Sequence, residues 1–501
     1  MPLGEPVTGF PTSRRQALQR RQHSEFDVLV IGGGIVGAGV ARDAAMRGLR
    51  IALVEQADFA SGTSSRSSRL FHGGLRYLAQ GHIGLVREAS KEKVVLSRLA
   101  PHLSQPLPFV FPAWRGRGRS LWKIAAGVQL YELLSGGRNL GLSSIYSATR
   151  LLAEIPGLRS EGLTGGVRYF DALTNDARLV IDTLRSADRA GALLLNYTRF
   201  NSSDRRRGRW RCSLRDELSA DTFELQARTV VNATGAWAGG LAHSRVRLRL
   251  TKGSHIVAYR SRLPVATAVV LSHGDRILFV IPWGERVILG TTDTDYAGDP
   301  ADVRTDVSDV EYILGVVNSA FPRVRLTTAD LISSWAGIRP LIAPARAATA
   351  IPSDISRRHQ INVAESGWID VAGGKLTTYR LMAQQVVDRL GPFLDARLCR
   401  SRTAETPILA VADTLFSGIL PPPLTAEVVR RSCRDEWAIH LDDMLLRRTS
   451  WHFYYSNHSE IAQTVAQWMA EELGWDAAHT QCEVERYFRT AEFISQPRSI
   501  S

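Results

Sequence analysis

Three glycines at Gly32-x-Gly34-x-x-Gly37, with Glu55 18 residues past the last, are spaced to hold a dinucleotide. Glycine lets the backbone turn tightly and come close to a pyrophosphate. A helix starting there points free N–H groups and the positive end of its dipole at the phosphates. A carboxylate at Glu55 can accept hydrogen bonds from ribose hydroxyls. Downstream, Ala60 to Tyr77 holds five serines, a threonine and three glycines. Hydroxyls and backbone N–H groups at that density, at Thr63, Ser64, Ser65 and Ser68 and then at His72, Gly73, Gly74 and Leu75, suit the cradling of a phosphate or an isoalloxazine ring. His72 and Arg76 within this stretch set it apart from a flexible Ser-rich loop. Two later segments are built alike: Asn232-Ala233-Thr234-Gly235-Ala236-Trp237 and Val371-Ala372-Gly373-Gly374-Lys375-Leu376-Thr377-Thr378-Tyr379. Each is a strand end followed by small residues, and the second runs into a helix start, as a further contact to an extended cofactor would.

The elements that must position these residues can be read from apolar periodicity. Val28–Ile31 is a short, β-branched run, Val36–Arg47 is helix-like and stopped by Gly48, and Ile51–Val54 is a second apolar run. Strand, glycine turn, helix, strand and acid make a βαβ nucleotide-binding unit, which alone does not choose between FAD and a nicotinamide nucleotide. Helices are expected over 82–100 and Asp176–Ala190, and strands over Leu193–Tyr197 and Phe223–Val231. Between Leu248 and Gly290 the apolar residues fall in short β-like runs, with a hairpin turn at Trp283-Gly284-Glu285. This reads as an antiparallel, substrate-side sheet carrying Thr251-Lys-Gly-Ser-His255, Gly290-Thr-Thr-Asp-Thr-Asp295 and Trp335-Ala-Gly-Ile-Arg-Pro-Leu341. Pro421–Pro423 reads as a linker into a helical region with helices over Ala426–Arg448 and Ser459–Leu473.

The 501 residues suffice for two or three domains, and 44% hydrophobic with 22% charged residues is a globular composition. The net charge is +13, and lysine occurs only at 91, 93, 123, 252 and 375. That balance suits nucleic acid, an anionic membrane surface or an acidic substrate. No RNA-binding signature accompanies the arginine cluster at 205–211, which reads as a solvated hairpin tip, so no nucleic-acid partner is expected. The four cysteines show no CxxC pairing and read as free thiols, and no metal site is expected. No apolar run reaches the length of a membrane span. Trp114-Arg-Gly-Arg-Gly-Arg-Ser-Leu-Trp-Lys123, leading into Ile124–Leu134, fits an interfacial segment on anionic lipid and, equally, a basic loop before a core helix. Residues 1–24 carry prolines and four arginines without an apolar core. A mitochondrial presequence is argued against by Glu5 and the prolines, and a flexible arm on a bacterial protein is the expectation.

The motifs IGGGIVGAG, SGTSSRSSRLFHGGLRYL, NATGAW, KGSHIV, FVIPWGERVILGTTDTDYAGDP, AGIRPL and VAGGKLTTYR stand in the order of one family. The chain resembles FAD-dependent, quinone-linked glycerol-3-phosphate dehydrogenase, of the D-amino-acid-oxidase-like flavoproteins, over residues 25 to 395. DEWAIHLDDMLLRRT matches a family helix motif further on. The resemblance implies an α/β protein: a discontinuous Rossmann-like FAD-binding domain, an antiparallel-sheet substrate (cap) domain and a C-terminal helical domain. The expected division is a basic arm (1–24), FAD-binding parts (25–110, 176–247 and 345–395), a cap or membrane-proximal segment (111–175), the substrate domain (248–344) and the helical domain (396–501). The implied cofactor is FAD, bound by Gly32, Gly34, Gly37, Glu55, Thr63, Ser64, Ser65, Ser68, His72, Gly73, Gly74, Leu75, Ala233, Thr234, Gly235, Gly373, Gly374, Lys375, Leu376 and Thr377. The implied reaction is hydride transfer from sn-glycerol 3-phosphate to flavin N5, giving dihydroxyacetone phosphate, with electrons passed to membrane quinone.

Such a reaction needs a phosphate dianion held, a hydroxyl proton removed and a hydride aimed. Arg76 and Arg339 match the family's substrate arginines and can grip phosphate through charge-assisted bonds. Tyr77 and Lys375 are secondary contacts, and His72 and His255 are both candidate bases, histidine having the right intrinsic pKa. Thr291, Thr292 and Asp293 are expected to order the pocket, and the motif lysines Lys252 and Lys375 to have specific roles. Arg69, where many members carry lysine, is expected to lie outside the chemistry. The shortened stretch between Tyr379 and Asp442 implies a trimmed C-terminal domain, and no calcium loop follows it. A peripheral place on the cytoplasmic side of a bacterial inner membrane and a homodimer complete the expectation. An oxygen-using oxidase is the close alternative, and an amine or amino-acid oxidase the more distant one.

Overall fold

A computed structural model of the chain describes Arg14 and residues 25–78, 81–116, 118–135, 139–274, 276–343, 359–394 and 397–495, and the expected arm at 1–24 lies outside them but for Arg14. The strands are β1 (Glu25–Ile31), β2 (Ile51–Val54), β3 (Leu70–Phe71), β4 (Gln105–Trp114), β5 (Ser144–Tyr146), β6 (Leu163–Leu173), β7 (Leu193–Leu195), β8 (Thr198–Arg206), β9 (Arg209–Asp216), β10 (Thr222–Asn232), β11 (Leu248–Tyr259), β12 (Ala268–His273), β13 (Arg276–Trp283), β14 (Arg286–Gly290), β15 (Thr294–Asp295), β16 (Leu331–Ile342), β17 (Gln360–Val363) and β18 (Trp368–Ala372). The main helices are α1 (Ile35–Met46), α2 (Ile83–Leu99), α3 (Leu121–Leu134), α4 (Asp176–Arg189), α5 (Val307–Ala320), α6 (Tyr379–Asp388), α7 (Ala426–Asp435), α8 (His458–Leu473) and α9 (Ala477–Ser495).

Two sheets divide the chain. The first runs β17-β18-β10-β1-β2-β7 and is parallel from β18 to β7. Its inner strands are apolar on both faces, Val28, Leu29 and Val30 being fully buried, because helices cover one side and the β8–β9–β10 hairpin layer the other. α1, α4 and α6 pack together on the helical side. The strands come from residues 25–54, 193–232 and 360–372, so the nucleotide-binding domain is discontinuous, as expected.

The second sheet is long and curled, in the order β15-β11-β14-β13-β12-β4-β6-β3, with β16 on β11 and β5 on β6. All its pairs are antiparallel except β12–β4. The expected boundary at 110 cuts through it, whereas 175 falls just past the end of β6. β4 spans 105–114 and pairs along its length with β6, which ends at Leu173, so the 111–175 segment and the 248–344 segment form one sheet rather than two units. The hairpin at 283–286 falls where it was expected.

The C-terminal region is helical, with one correction. The periodicity over Ala426–Arg448 predicts a single helix, but α7 stops at Asp435 and a separate π-helical turn spans Asp443–Arg448. Trp437, at φ 58° and buried beside Phe59, breaks the helix. The turn then aims Arg447 and Arg448 at buried Asp58 of the nucleotide domain. The i,i+4 pattern is indifferent to such a break, because the residues after it are buried against a second domain instead of along one helix face. No described helix is long and apolar enough to cross a membrane.

Candidate active site

β1 ends at Ile31, and Gly32 follows at φ 110°, a conformation that favours glycine. A Cβ at Gly37 would lie 1.9 Å from the Gly32 carbonyl oxygen, and one at Gly32 would lie 2.6 Å from that of Ala233. The first glycine stretch thus folds onto itself and onto the Asn232–Gly235 turn. Gly34 caps α1 with no side-chain bond to it, and the Ile35 N–H donates to Ser64 Oγ at 3.0 Å. Glu55 accepts from the Gly33 N–H (2.7 Å) and the Ala57 N–H (3.0 Å), bracing the turn, and burial raises its pKa.

These stretches close around a cavity of 230 Å³. Gly34, Thr63, Ser64, Ser68, His72, Ala233, Gly235, Gly373, Gly374, Lys375 and Leu376 line it, with His255 and Arg339 from the second sheet. Gly32, Gly37, Glu55, Ser65, Thr234 and Thr377 stand behind its wall. Thr63 Oγ1 donates to the Ile338 carbonyl (2.6 Å), Thr234 Oγ1 to Asn232 Oδ1 (2.7 Å), and Thr377 Oγ1 accepts from the His72 N–H (3.1 Å). Four separate stretches with small side chains and a bare helix N-terminus therefore meet in one elongated space. An extended dinucleotide fits that donor set, and FAD fits the backbone approach the glycines permit. A second cavity, of 560 Å³, shares Ser68, Leu70, His72 and Arg339 with the first and extends past Gly74, Leu75 and Tyr77 to α3.

Arg339, on β16, lies over Gly253 of β11, where a Cβ would be 2.0 Å from its Nη2. Nη2 donates to Thr291 Oγ1 (2.7 Å) and the Thr292 carbonyl (3.1 Å), and Nη1 to Asp293 Oδ1 (3.3 Å). The Gly290–Asp293 loop is thus the holder of this arginine. His255, also on β11, is buried, with Nε2 2.8 Å from Ser68 Oγ and its ring stacked on Trp335 at 5.3 Å. Burial, then Arg339 and Arg69, push its pKa down to about 3, so the imidazole is neutral at pH 7. Lys375 sits with its ammonium 3.9 Å over the ring of buried Tyr77.

Several expectations change. Lys252 is not in either cavity: its ammonium pairs with Asp306 and Asp309 (2.7 Å to the latter) and fastens the start of α5. Arg69, expected to lie outside the chemistry, lines neither cavity, but it is buried with its guanidinium 4.5 Å from the Trp283 ring and 5.2 Å from Trp335, the ring that stacks on His255. Its φ of 55° leaves no trace in the sequence. Asp309, which holds Ser254 Oγ at 2.8 Å, lies outside every matched motif. The side chain of Arg76 lies outside the described residues.

A Rossmann-like sheet whose glycine cradle opens against an antiparallel sheet bearing a cation and a neutral histidine defines a dinucleotide-dependent oxidoreductase. The profile of the family described as FAD dependent oxidoreductase matches residues 27–380, and that of the C-terminal domain of alpha-glycerophosphate oxidase matches residues 418–480. The chain is 36% identical to a protein of Mycobacterium bovis named glycerol-3-phosphate dehydrogenase 2, over 97% of this chain and 92% of that one. It is 37% identical to an aerobic glycerol-3-phosphate dehydrogenase of Staphylococcus saprophyticus, over 75% and 69%. The crystal structure of a glycerol-3-phosphate dehydrogenase from Bacillus halodurans complexed with FAD superposes with a TM-score of 0.78 at 28% identity, covering 98% of this chain and 99% of that one. L-alpha-glycerophosphate oxidase from Mycoplasma pneumoniae shares the fold, with a TM-score of 0.58 at 17% identity, covering 75% of this chain and 97% of that one. The chain belongs to the FAD-dependent oxidoreductases, in their glycerol-3-phosphate dehydrogenase family.

Proposed function

We propose that this protein oxidises sn-glycerol 3-phosphate to dihydroxyacetone phosphate and delivers the electrons to quinone at an anionic membrane surface. The observation that carries the reading is the placement of Arg339 and neutral His255 on the wall of the same cavity as the glycine cradle. Bound FAD supplies the hydride acceptor. Arg339, fixed by Thr291, Thr292 and Asp293, presents a planar fork to the substrate phosphate, with Lys375 as a further cationic contact. His255 takes the hydroxyl proton from the carbon that gives up hydride. Its basicity is coupled to substrate: a phosphate dianion paired with Arg339 offsets one of the two cations that depress its pKa, so the free site holds a weak base and the loaded site a stronger one. His72 lines both cavities and orients the substrate between them.

The second cavity supports an apolar acceptor, being walled by Leu75, Leu78, Ile124, Leu130 and Phe279 with Arg119 and Lys123 at its α3 side. α3 buries Ile124, Val128 and Tyr131 on its inner face but leaves Trp122 68% exposed and Leu133 75%, and Leu142 and Ile145 are exposed as well. Apolar side chains interleaved with Arg115, Arg119 and Lys123 suit the headgroup layer of anionic lipid, so peripheral attachment to a bacterial inner membrane is part of the proposal. Turnover with a short-chain quinone tests it: one dihydroxyacetone phosphate per quinone reduced is expected. Stoichiometric peroxide with quinone left oxidised would overturn the acceptor and make the protein an oxidase.

A further inference from the structure

Behind the cavity walls, with only Asp171 reaching the second cavity, one buried polar cluster touches the active-site loop directly. Tyr131, on the inner face of α3, is fully buried, and its Oη accepts the Gly73 N–H at 2.8 Å. Its O–H donates to Asp171 Oδ1 at 2.6 Å. Lys93, on α2 and also fully buried, donates to Asp171 Oδ1 (2.8 Å), Asn139 Oδ1 (2.8 Å), the Phe170 carbonyl (2.9 Å) and Tyr131 Oη (3.2 Å). Burial and the Asp171 carboxylate hold the phenol pKa well above its ordinary value, so Tyr131 keeps its proton and its hydrogen-bond direction is fixed.

The loop it grips leaves no slack. A Cβ on Gly73 would fall 2.4 Å from Tyr131 Oη and 2.5 Å from Ser90 Oγ. One residue earlier, the His72 backbone is held from the opposite side by Thr377, of the nucleotide domain, through its N–H (3.1 Å) and its carbonyl (3.2 Å). The loop carrying His72, Gly74 and Leu75 is therefore clamped between the two halves, by Thr377 on one and Tyr131 on the other. Lys93 is one of five lysines in an arginine-dominated chain. A buried ammonium with four acceptors around one carboxylate costs desolvation that an apolar cluster would avoid. A compact ammonium, unlike a guanidinium, can place its donors around one point.

We propose that Tyr131, locked by Lys93 and Asp171, is a positioning residue that sets the His72–Leu75 loop at the junction of the two cavities. It acts through the Gly73 amide and touches neither substrate nor FAD. The proposal rests on the function given above, because it assigns the loop to the reductive half-reaction.

The test is rapid anaerobic mixing of holoenzyme with sn-glycerol 3-phosphate, reading flavin bleaching. Tyr131→Phe removes one hydroxyl and keeps the ring. It is expected to slow reduction about tenfold at saturating substrate, since angström-scale misplacement of reacting groups costs up to about 100-fold. FAD content and KM should stay within twofold. Asp171→Asn should act in the same direction, and Tyr146→Phe, a fully buried tyrosine of the same sheet that does not touch the loop, should leave the rate unchanged. A Tyr131→Phe holoenzyme reducing at the wild-type rate overturns the proposal, as does a loss confined to melting temperature or FAD content. Failure of the wild-type flavin to bleach would instead overturn the assigned function.

Discussion

Replacing Arg339 by alanine separates substrate grip from cofactor grip. The guanidinium is 18% exposed and held at three points by the Thr291–Asp293 loop, so it is ordered before substrate arrives. A hydrogen bond to a charged group is worth about 1.5–3 kcal/mol. A preordered fork on phosphate sits at the upper end, and about 3 kcal/mol corresponds to roughly two orders of magnitude in KM. Alanine also leaves Asp293 facing a phosphate dianion, so Arg339→Ala should be worse than simple deletion, and adding Asp293→Asn should recover several-fold. Arg339→Lys keeps the charge and loses the fork, and should raise KM about tenfold. The assay is the initial rate of dihydroxyacetone phosphate formation against substrate concentration, with FAD per chain from absorbance. A KM within threefold of wild type, or loss of FAD, would mean that Arg339 does not hold the substrate phosphate.

Three further outcomes are expected. His255 has its folded pKa pushed down to about 3 against an ordinary 6.5, so protonation is taken up by the unfolded chain first. Its share of stability is intact above pH 6.5 and falls by about 2 kcal/mol between pH 7 and 5; His255→Asn should flatten the pH dependence of Tm over that range, and an unchanged slope would contradict it. Gly37→Ala drives a Cβ to 1.9 Å from the Gly32 carbonyl oxygen, so the turn must move and the purified protein should be colourless; a full FAD complement would show the cradle is misread. Trp122→Ser with Leu133→Ser should lower co-sedimentation with phosphatidylserine vesicles at least tenfold, burial of one large apolar side chain being worth about 1.5–3 kcal/mol. Turnover with a soluble quinone analogue should be unaffected, and equal sedimentation would remove α3 from the membrane reading.

The nucleotide cradle was legible because it is local: strand, glycine turn, helix and acid are set by spacing within 30 residues, and β1, α1 and β2 lie within three residues of their expected limits. Arg339 and His255 were found by motif, but their geometry was not, since it depends on which strands pair. The β11–β16 register places Gly253 opposite Gly337, a long-range fact that leaves no periodic trace. What Lys252 does was illegible for the same reason: its partners, Asp306 and Asp309, lie more than 50 residues away in a helix cap. Tyr131, Lys93 and Asp171 come from three elements and form a cluster only after the curled sheet brings β6 under α2 and α3.

Hydride passing from sn-glycerol 3-phosphate to the flavin must leave a visible trace in the flavin spectrum. Anaerobic titration of the purified yellow protein with sn-glycerol 3-phosphate, followed through the flavin absorbance, tests it most directly. Full bleaching is expected, with one dihydroxyacetone phosphate formed per flavin, and no bleaching with an amino acid or amine. A spectrum unchanged at saturating sn-glycerol 3-phosphate would contradict it.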